Sequence, residues 1–355
     1  MKSICSMALA ATLLAAPVYA ESQTVTIGFG TTVGSQYSDL VFGKKLGFFE
    51  EEGIDLQLMS FQGTPVLLAQ VQNQSIDVGS VEPSLMLISA SKNVPLPVRA
   101  VYNYFRSTPY EFAVLPDSPI RSVADLKGKK IGVHVLSSGN VILTKAALRD
   151  AGIDPETQVT FVPIGVGPAA WKQLQDGTVD ILNLWTSEDV KMLAAGNPAR
   201  RFTLPEKFRQ IFTGTMIVHE DTIADRPEII EGLGRALAKS TLACASARVT
   251  CAKSFWEFDP TARPAADHED EWIANTVRVL EENHALITYN ENRENTPGSY
   301  MAGSLDAYVD ALRQAGLLEN TDFEADSILT NQFAKAYDDF DRDEVIARAK
   351  AAEAQ

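Results

Sequence analysis

The fold is decided by residues 47–83, which read GFFEEEGIDLQLMSFQGTPVLLAQVQNQSIDVGSVEP. Gly53 is placed to end a helical turn, because glycine accepts the left-handed conformation of a helix C-cap. Residues 54–58 alternate apolar and polar side chains, which predicts a strand. The apolar positions in 66–71 fit a short helix, and residues 76–79 predict a second strand. The stretch is therefore a strand–helix–strand unit that ends in a polar loop.

The same pattern returns in residues 151–188, which read AGIDPETQVTFVPIGVGPAAWKQLQDGTVDILNLWTSE. Gly152 and Ile153 repeat Gly53 and Ile54, and residues 172–180 resemble residues 69–77. Two similar α/β halves predict two lobes with a cleft between them, although strand–helix–strand units in general look alike. After Pro227 the sequence is helical in character, and one amphipathic helix presents an apolar face of Leu305, Tyr308, Val309 and Leu312.

Length and composition indicate an exported protein with two domains. The chain has 355 residues, and 45% of them are hydrophobic, enough for two sizeable cores. Residues 1–20 combine Lys2, a short apolar run and the small-residue end Val18-Tyr19-Ala20, the pattern of a secretory signal peptide. No later run approaches the ~18 apolar residues of a membrane span. We therefore expect a soluble protein of the bacterial periplasm.

The charge argues against a nucleic-acid partner. The chain has 31 Lys and Arg against 46 Asp and Glu, and removing the signal takes away one lysine, so the mature charge is (31 − 1) − 46 = −16. Nucleic-acid binding needs a basic surface. An acidic surface still permits a small ligand of either charge.

Two cysteines, Cys244 and Cys251, remain after the signal peptide, and in an oxidising compartment they are expected to pair. On one straight helix seven residues rise ~10.5 Å, too far for a disulfide. The helix that contains residues 233–241 must therefore bend or end before Cys251. A redox or metal role is disfavoured, because the segment has no CxxC motif and no nearby histidine.

Predicted strands near Tyr110 and Phe212 lead into and out of the second half. The predicted organisation is a first lobe from residues 21–110, a second lobe from 111–212, and a return to the first lobe with C-terminal helices from 213–355. We expect these helices to pack on the first lobe and the two lobes to close on a ligand about a hinge.

Several of these motifs carry a resemblance to a known family. The segments GFFEEEGIDLQL, IDVGSVEPS and SVADLKGKKIGV, with the SSGN loop that precedes a helix, resemble the substrate-binding proteins of ABC importers. The similar branch is the one for sulfonates, taurine, nitrate and the thiamine pyrimidine precursor, over roughly residues 25–224. The resemblance implies an α/β, two-lobed periplasmic binding protein fold similar to type II, with a mixed sheet and flanking helices in each lobe and a helical C-terminal part. It also implies a small-molecule ligand, a membrane permease as partner, and a monomer.

Ligands of open α/β sheets bind at the carboxyl ends of strands, and this rule selects the candidate ligand-binding residues. They are Thr31, Thr32, Tyr37, Ser80, Glu82, Tyr102, Tyr104, His134, Ser137, Ser138, Gly139, Asn140, Asn183 and Trp185.

Residues 137–140 suit an anion, because hydroxyls and free N–H groups meet at a helix start. Ordinary N-capping by Ser137 or Ser138 is the alternative. Trp185 and Tyr37 could enclose a flat group or simply pack in the core. Glu82 would favour a cationic or hydrogen-bond-donating ligand, or would serve the dipole of the helix after Pro83.

The sequence therefore predicts a periplasmic solute-binding component of an ABC importer, for a small organic acid such as a sulfonate or carboxylate, possibly aromatic. A neutral or cationic heterocycle such as a pyrimidine is the alternative ligand. An exported enzyme on the same fold is disfavoured. Residues 165–170 fit GxGxxA, but one such match is weak, and neither HExxH nor GxSxG occurs. We expect no enzymatic activity, no cofactor and no metal ion.

Overall fold

A computed structural model describes residues 22–94, 96–288, 296–320 and 322–354. The predicted signal peptide, residues 1–20, lies outside these ranges. The described residues contain ten strands: β1 Gln23–Phe29, β2 Ile54–Ser60, β3 Val78–Val81, β4 Val98–Phe105, β5 Tyr110–Val114, β6 Lys130–Val133, β7 Thr160–Pro163, β8 Ile181–Trp185, β9 Arg200–Thr203 and β10 Thr213–His219.

The helices of the two sheets and their connections come first in the chain. They are α1 Ser38–Lys45, α2 Thr64–Gln72, α3 Ser84–Ser91, α4 Gly139–Asp150, α5 Pro168–Gln175, α6 Thr186–Ala194, α7 Glu206–Arg209 and α8 Glu220–Asp225. The C-terminal helices are α9 Pro227–Ser246, α10 Arg248–Phe258, α11 Glu269–Ile287, α12 Ser304–Gln314, α13 Ala334–Tyr337 and α14 Arg342–Glu353.

The strands form two mixed sheets, as the sequence predicted. The sheet of the first lobe has the order β2-β1-β3-β10-β4, and that of the second lobe has the order β7-β6-β8-β5-β9. In the first sheet β1 is parallel to β2 and β3, whereas β10 is antiparallel to β3 and β4. In the second sheet β6 is parallel to β7 and β8, whereas β5 is antiparallel to β8 and β9. Each sheet thus contains one antiparallel strand that the chain enters directly after crossing between the lobes.

Residues 47–83 fold as their sequence pattern predicts. Gly53 has φ +69° and ends the 3-10 turn Glu50–Glu52, and the strand β2 begins at the next residue. Along β2 the side chains of Ile54 and Leu56 are buried, while that of Gln57 is exposed. The helix α2 and the strand β3 complete the unit, and β7, α5 and β8 form its counterpart in the second lobe.

The predicted disulfide between Cys244 and Cys251 is present, and the helix is interrupted as its geometry requires. Their Cα atoms are 5.2 Å apart, about half the rise of seven residues in a straight helix. The interruption is at Ala247, which has φ −144° and separates α9 from α10. The disulfide therefore joins the adjoining ends of two consecutive helices.

The C-terminal helices contact both lobes. The helices α9 and α10 pack on α1 of the first lobe. By contrast, α11 contacts α6, and α12 contacts α4 and α7 of the second lobe. The predicted apolar face of α12 is buried at Leu305, Tyr308, Val309 and Leu312. The hydroxyl of Tyr308 also lies 2.8 Å from Ser84 Oγ of α3, so α12 contacts the first lobe as well.

None of the described helices combines the length and the apolarity that crossing a bilayer requires. Within the described ranges, no three His, Cys, Asp or Glu side chains converge as metal ligands.

Candidate ligand-binding site

The candidate site is a cavity between the lobes, at the carboxyl ends of β1, β3, β6 and β8. Its volume is about 120 Å³, which leaves room for a few water molecules or one small organic molecule. The residues that line it are Gly30, Thr31, Gln36, Tyr37, Gly63, Thr64, Ser80, Val81, Glu82, Phe105, Pro109, Tyr110, His134, Ser138, Gly139, Asn140, Trp185, Ser187, Thr213, Gly214 and Asn283.

Most of the residues selected from the sequence lie in this lining: Thr31, Tyr37, Ser80, Glu82, His134, Ser138, Gly139, Asn140 and Trp185. Those outside it are Thr32, Tyr102, Tyr104, Ser137 and Asn183. Thr32 and Ser137 are exposed.

The two tyrosines of β4 belong to the core of the first lobe. The ring of Tyr102 packs 5.1 Å from that of Tyr337, and the hydroxyl of Tyr104 donates to Asp39 Oδ2 at 2.7 Å. The two side chains share one face of the strand, as alternation predicted, but that face is covered by C-terminal helices.

Several lining residues were not selected from the sequence. Gly63 and Thr64 follow β2 and could have been found by the strand-end rule. Pro109 and Tyr110 lie at the first crossing, and Thr213 and Gly214 at the second, where the lobes must meet. Asn283 comes from α11, and no sequence pattern places that helix beside the cavity.

Glu82 is the only described carboxylate in the lining, and hydrogen bonds hold one of its two oxygens. Its Oε1 accepts hydrogen bonds from the backbone N–H of Ser84 at 3.2 Å and from Ser84 Oγ at 2.7 Å. These bonds hold one oxygen of Glu82 at the start of α3. Its Oε2 is buried and has no hydrogen-bond partner among the described residues. Burial raises the pKa of Glu82 to about 8, against a smaller lowering by the bonds from Ser84.

The start of α4 faces Glu82 from the second lobe. Ser138 is the N-cap, but its side chain makes no capping hydrogen bond with the described backbone. Gly139 follows, and a β-carbon placed on it would be 2.7 Å from Cβ and 2.9 Å from Oε2 of Glu82. The carboxylate of the first lobe therefore stands at the helix terminus that the sequence suggested for an anion.

Asn140 is fixed by a polar network behind the cavity. Its Nδ2 donates to the backbone oxygen of Asn183 at 2.6 Å and to Asn183 Oδ1 at 3.1 Å. Thr144 also donates to that Oδ1, at 2.8 Å, and Asn183 Nδ2 donates to the backbone oxygen of Glu111. Asn183, selected as a ligand residue, thus lies behind Asn140 and positions it.

Aromatic side chains supply the apolar part of the lining. Trp185 and His134 make an edge-to-face contact at 5.8 Å, and Tyr37 packs 4.1 Å from Phe29. Burial lowers the pKa of His134, against a smaller raising by Glu188, which favours the neutral imidazole. Phe105 and Tyr110 complete a set of flat surfaces that suits a flat ligand.

Among the described residues that line the cavity, there is neither lysine nor arginine. Lys191 approaches the lining residue Gln36, with Nζ 3.5 Å from Oε1, but it is paired with Glu188 at 2.9 Å. The lining therefore presents one carboxylate and neutral polar groups.

Two α/β lobes that enclose a small-molecule cavity at their strand ends define the class of periplasmic binding proteins. Within that class the chain belongs to the NMT1/THI5-like family, whose profile matches residues 35–247.

The chain is similar to the alkanesulfonate-binding protein SsuA from Xanthomonas axonopodis pv. citri, solved with bound MOPS. Their TM-score is 0.63 at 19% identity, over 88% of this chain and 99% of that one. It is also 24% identical, over 239 residues, to the riboflavin-binding protein RibY from Chloroflexus aurantiacus, a match that covers 65% of this chain and 67% of that protein.

The fold is also used by an enzyme. The desulfurization enzyme DSZB has a TM-score of 0.52 with this chain at 17% identity, over 88% of this chain and 98% of that one. The fold alone therefore does not separate binding from catalysis. In this chain Gly167, inside the GxGxxA segment, donates its backbone N–H to Glu188 Oε2 at 3.1 Å, so an internal carboxylate takes that donor.

Proposed function

We propose that this protein is the solute-binding component of an ABC importer. After export to the periplasm, its two lobes close on a small, flat organic molecule, which it delivers as a monomer to a membrane permease. The cavity formed by strand ends of both lobes is the observation that carries this proposal. The family and the similarity to SsuA support it.

The chemistry of the lining bears on the ligand. The sequence favoured an organic acid, and a neutral or cationic heterocycle was the alternative. A sulfonate-binding protein and a riboflavin-binding protein are both similar to this chain, so similarity leaves both classes open. The carboxylate of Glu82 in a lining without described lysine or arginine supports the alternative, because a bound acid would lack a cationic partner.

A thermal-shift panel tests the proposed function. It contains sulfonates, aliphatic and aromatic carboxylates, nitrate, pyrimidines, riboflavin and amines. A ligand that binds only the folded state raises the melting temperature, and at ~100 times its dissociation constant it adds ~2.7 kcal/mol of stability. We expect one chemical class to stabilise the mature protein. A flat response across the panel would count against a solute-binding role.

Fluorescence of Trp185 tests whether binding occurs in this cavity. The chain has four tryptophans, and Trp185 is the one that lines the described cavity. We expect the ligand-induced fluorescence change to vanish in Trp185→Phe. The matched control is Trp256→Phe, because Trp256 packs on Trp272 at 5.1 Å, outside the cavity. A change that survives Trp185→Phe but not Trp256→Phe would place the ligand elsewhere.

Catalysis is the second candidate function, favoured by the similarity to DSZB and by two titratable lining residues, Glu82 and His134. Product analysis of each stabilising ligand after prolonged incubation tests it. We expect the ligand to be recovered unchanged. A product that forms in proportion to protein concentration would replace the transport proposal.

A further inference from the structure

Three residues that line the cavity have a buried side-chain oxygen without a described hydrogen-bond partner: Glu82, Asn140 and Thr213. The Thr213 hydroxyl can donate as well as accept, whereas the amide oxygen of Asn140 and the ionised carboxylate of Glu82 can only accept. Glu82 Oε2 comes from the first lobe and Asn140 Oδ1 from the second. Both residues are almost completely buried, Glu82 at 5% and Asn140 at 1% exposure. A buried acceptor without a donor is costly, so a native structure that keeps two in one cavity needs an explanation.

The orientation of Glu82 is set by Ser84. Because Ser84 bonds to Oε1 with both its N–H and its hydroxyl, the other oxygen points away from α3 and toward Gly139. The hydroxyl of Ser84 is in turn 2.8 Å from Tyr308 Oη of α12. The carboxylate is therefore anchored to the C-terminal part of the chain and not free to turn.

The orientation of Asn140 follows from its partners. Its amide faces two oxygens of Asn183, so the nitrogen must occupy that side. The second of those oxygens is the amide oxygen of Asn183, which carries no proton and also accepts from Thr144. The oxygen of the Asn140 amide is consequently turned away from Asn183, and it can only accept.

We propose that Glu82 and Asn140 form a pair of acceptors that determines specificity, selecting ligands with N–H donors and rejecting carboxylates and sulfonates. This inference rests on the proposed function, since it assigns the ligand class of the same cavity. The start of α4 gives the rejection a second cause. When it is ionised, the carboxylate of Glu82 already occupies this helix terminus, where an anionic ligand would otherwise bind, and it repels a second negative charge.

Protonation of Glu82 makes the selection dependent on pH. The pKa of about 8 means that the ligand-free carboxyl carries a proton near neutral pH. A cationic ligand favours the charged carboxylate, so its binding releases this proton and strengthens as pH rises to about 8. The titratable residues that line the cavity together with Glu82 are Tyr37, Tyr110 and His134, and Tyr308 is connected to it through Ser84. Burial raises the pKa of Tyr110.

Calorimetry with three probes of one shape tests the inference. Benzamidine is a cation, benzamide is a neutral hydrogen-bond donor and benzoate is an anion. In buffer above the pKa of Glu82 we expect wild-type affinity to fall in that order. Glu82→Gln should lower the affinity for benzamidine by about tenfold or more, because a charge-assisted hydrogen bond is lost. It should also strengthen benzoate, since glutamine offers an N–H. The matched control is Glu156→Gln, which removes an exposed carboxylate of the Lys145 ion pair.

Three results would overturn the inference: benzoate binding to the wild type at least as tightly as benzamidine, equal benzamidine affinity in Glu82→Gln, or no binding of any probe to the wild type. The pH profile provides a second readout. Benzamidine affinity should rise toward pH ~8 in the wild type and stay flat in Glu82→Gln. An acid that binds in the wider panel would overturn this inference alone, whereas a panel without any ligand would overturn the proposed function as well.

Discussion

Gly139 of the second lobe and Glu82 of the first lobe approach so closely that a single methyl group does not fit between them. A β-carbon on Gly139 would lie 2.7 Å from Cβ of Glu82, well inside the ~3.5–4.0 Å contact distance of carbon atoms. The first turn of α4 thus touches the opposite lobe through its backbone.

This contact predicts that Gly139→Ala prevents full closure. The new methyl group meets the base of the Glu82 side chain, which cannot swing away as a flexible end would. We expect a larger radius of gyration of the ligand-saturated protein in small-angle scattering, a large loss of affinity, and little change in melting temperature. Leu136→Ala is the control, because Leu136 is exposed in the same loop. A Gly139→Ala protein that binds and closes like the wild type would show that the lobes do not meet here.

Stability should depend on pH through Glu82. The folded pKa is about 8, above the ordinary value of 4.5, so between these values the folded state holds a proton that the unfolded state has released. The contribution of the Glu82 carboxyl to the free energy of unfolding is largest below pH ~4.5, falls as pH rises, and levels off above pH ~8. At 1.36 kcal/mol per pKa unit, the change is on the order of several kcal/mol.

Urea unfolding of wild type and Glu82→Gln across this pH range measures the effect. Asp39, whose pKa burial raises to about 6, contributes in the same direction. It is present in both proteins and cancels in the comparison. We expect the stability of the wild type relative to Glu82→Gln to fall with rising pH. A constant difference would mean that the carboxyl ionises normally in the folded protein.

The disulfide between Cys244 and Cys251 should contribute about 2 kcal/mol, because it closes only a short loop in the unfolded chain. Cys244→Ser/Cys251→Ser and chemical reduction should both lower the melting temperature. Neither cysteine lines the ligand cavity, so ligand affinity should be unchanged. Thermal unfolding followed by circular dichroism checks the first expectation and calorimetry the second. Reduction without any thermal effect would contradict the stabilising role.

Arg201 should stabilise the contact between α11 and the second lobe. Its guanidinium donates to Glu282 of α11 through two nitrogens, at 3.2 and 2.7 Å, and to Glu111 through Nε at 2.7 Å. Burial raises the pKa of Glu111, and Arg201 opposes that shift. Arg201→Met leaves two partly buried carboxylates without their cation.

We expect Arg201→Met to lower the free energy of unfolding by about 2 kcal/mol, between the values for exposed and fully buried pairs. Lys172→Met is the control, because its ion pair with Asp176 is exposed and should be worth less than ~1 kcal/mol. Denaturant unfolding compares the two. Equal effects would mean that the Arg201 cluster is no stronger than a surface pair.

The part of the fold that follows from local pattern could be predicted from the sequence. The alternation over residues 54–58 and the glycine at 53 correspond to β2 and its preceding turn. The spacing between Cys244 and Cys251 required the interruption found at Ala247. The strand-end rule led to Glu82 and Gly139, because local pattern shows where each strand stops.

The parts that depend on long-range packing could not be predicted. Which face of β4 meets the cavity depends on Tyr337, which comes from the far end of the chain and covers Tyr102. Asn283 reaches the cavity because α11 packs across both lobes. Periodicity showed that α12 has an apolar face, but it could not show that α12 contacts both lobes.

The position of β10 has a consequence for the order of folding. This strand lies at the interior of the first sheet, between β3 and β4, although it comes after the whole second lobe in the chain. All five strands of the second sheet lie within residues 110–203 and form an uninterrupted segment. As the chain emerges N-terminus first, the second lobe can complete its sheet while the first still lacks an inner strand. Non-local strand pairings form slowly. We therefore expect the first lobe to complete its folding after the second lobe, although its synthesis begins earlier.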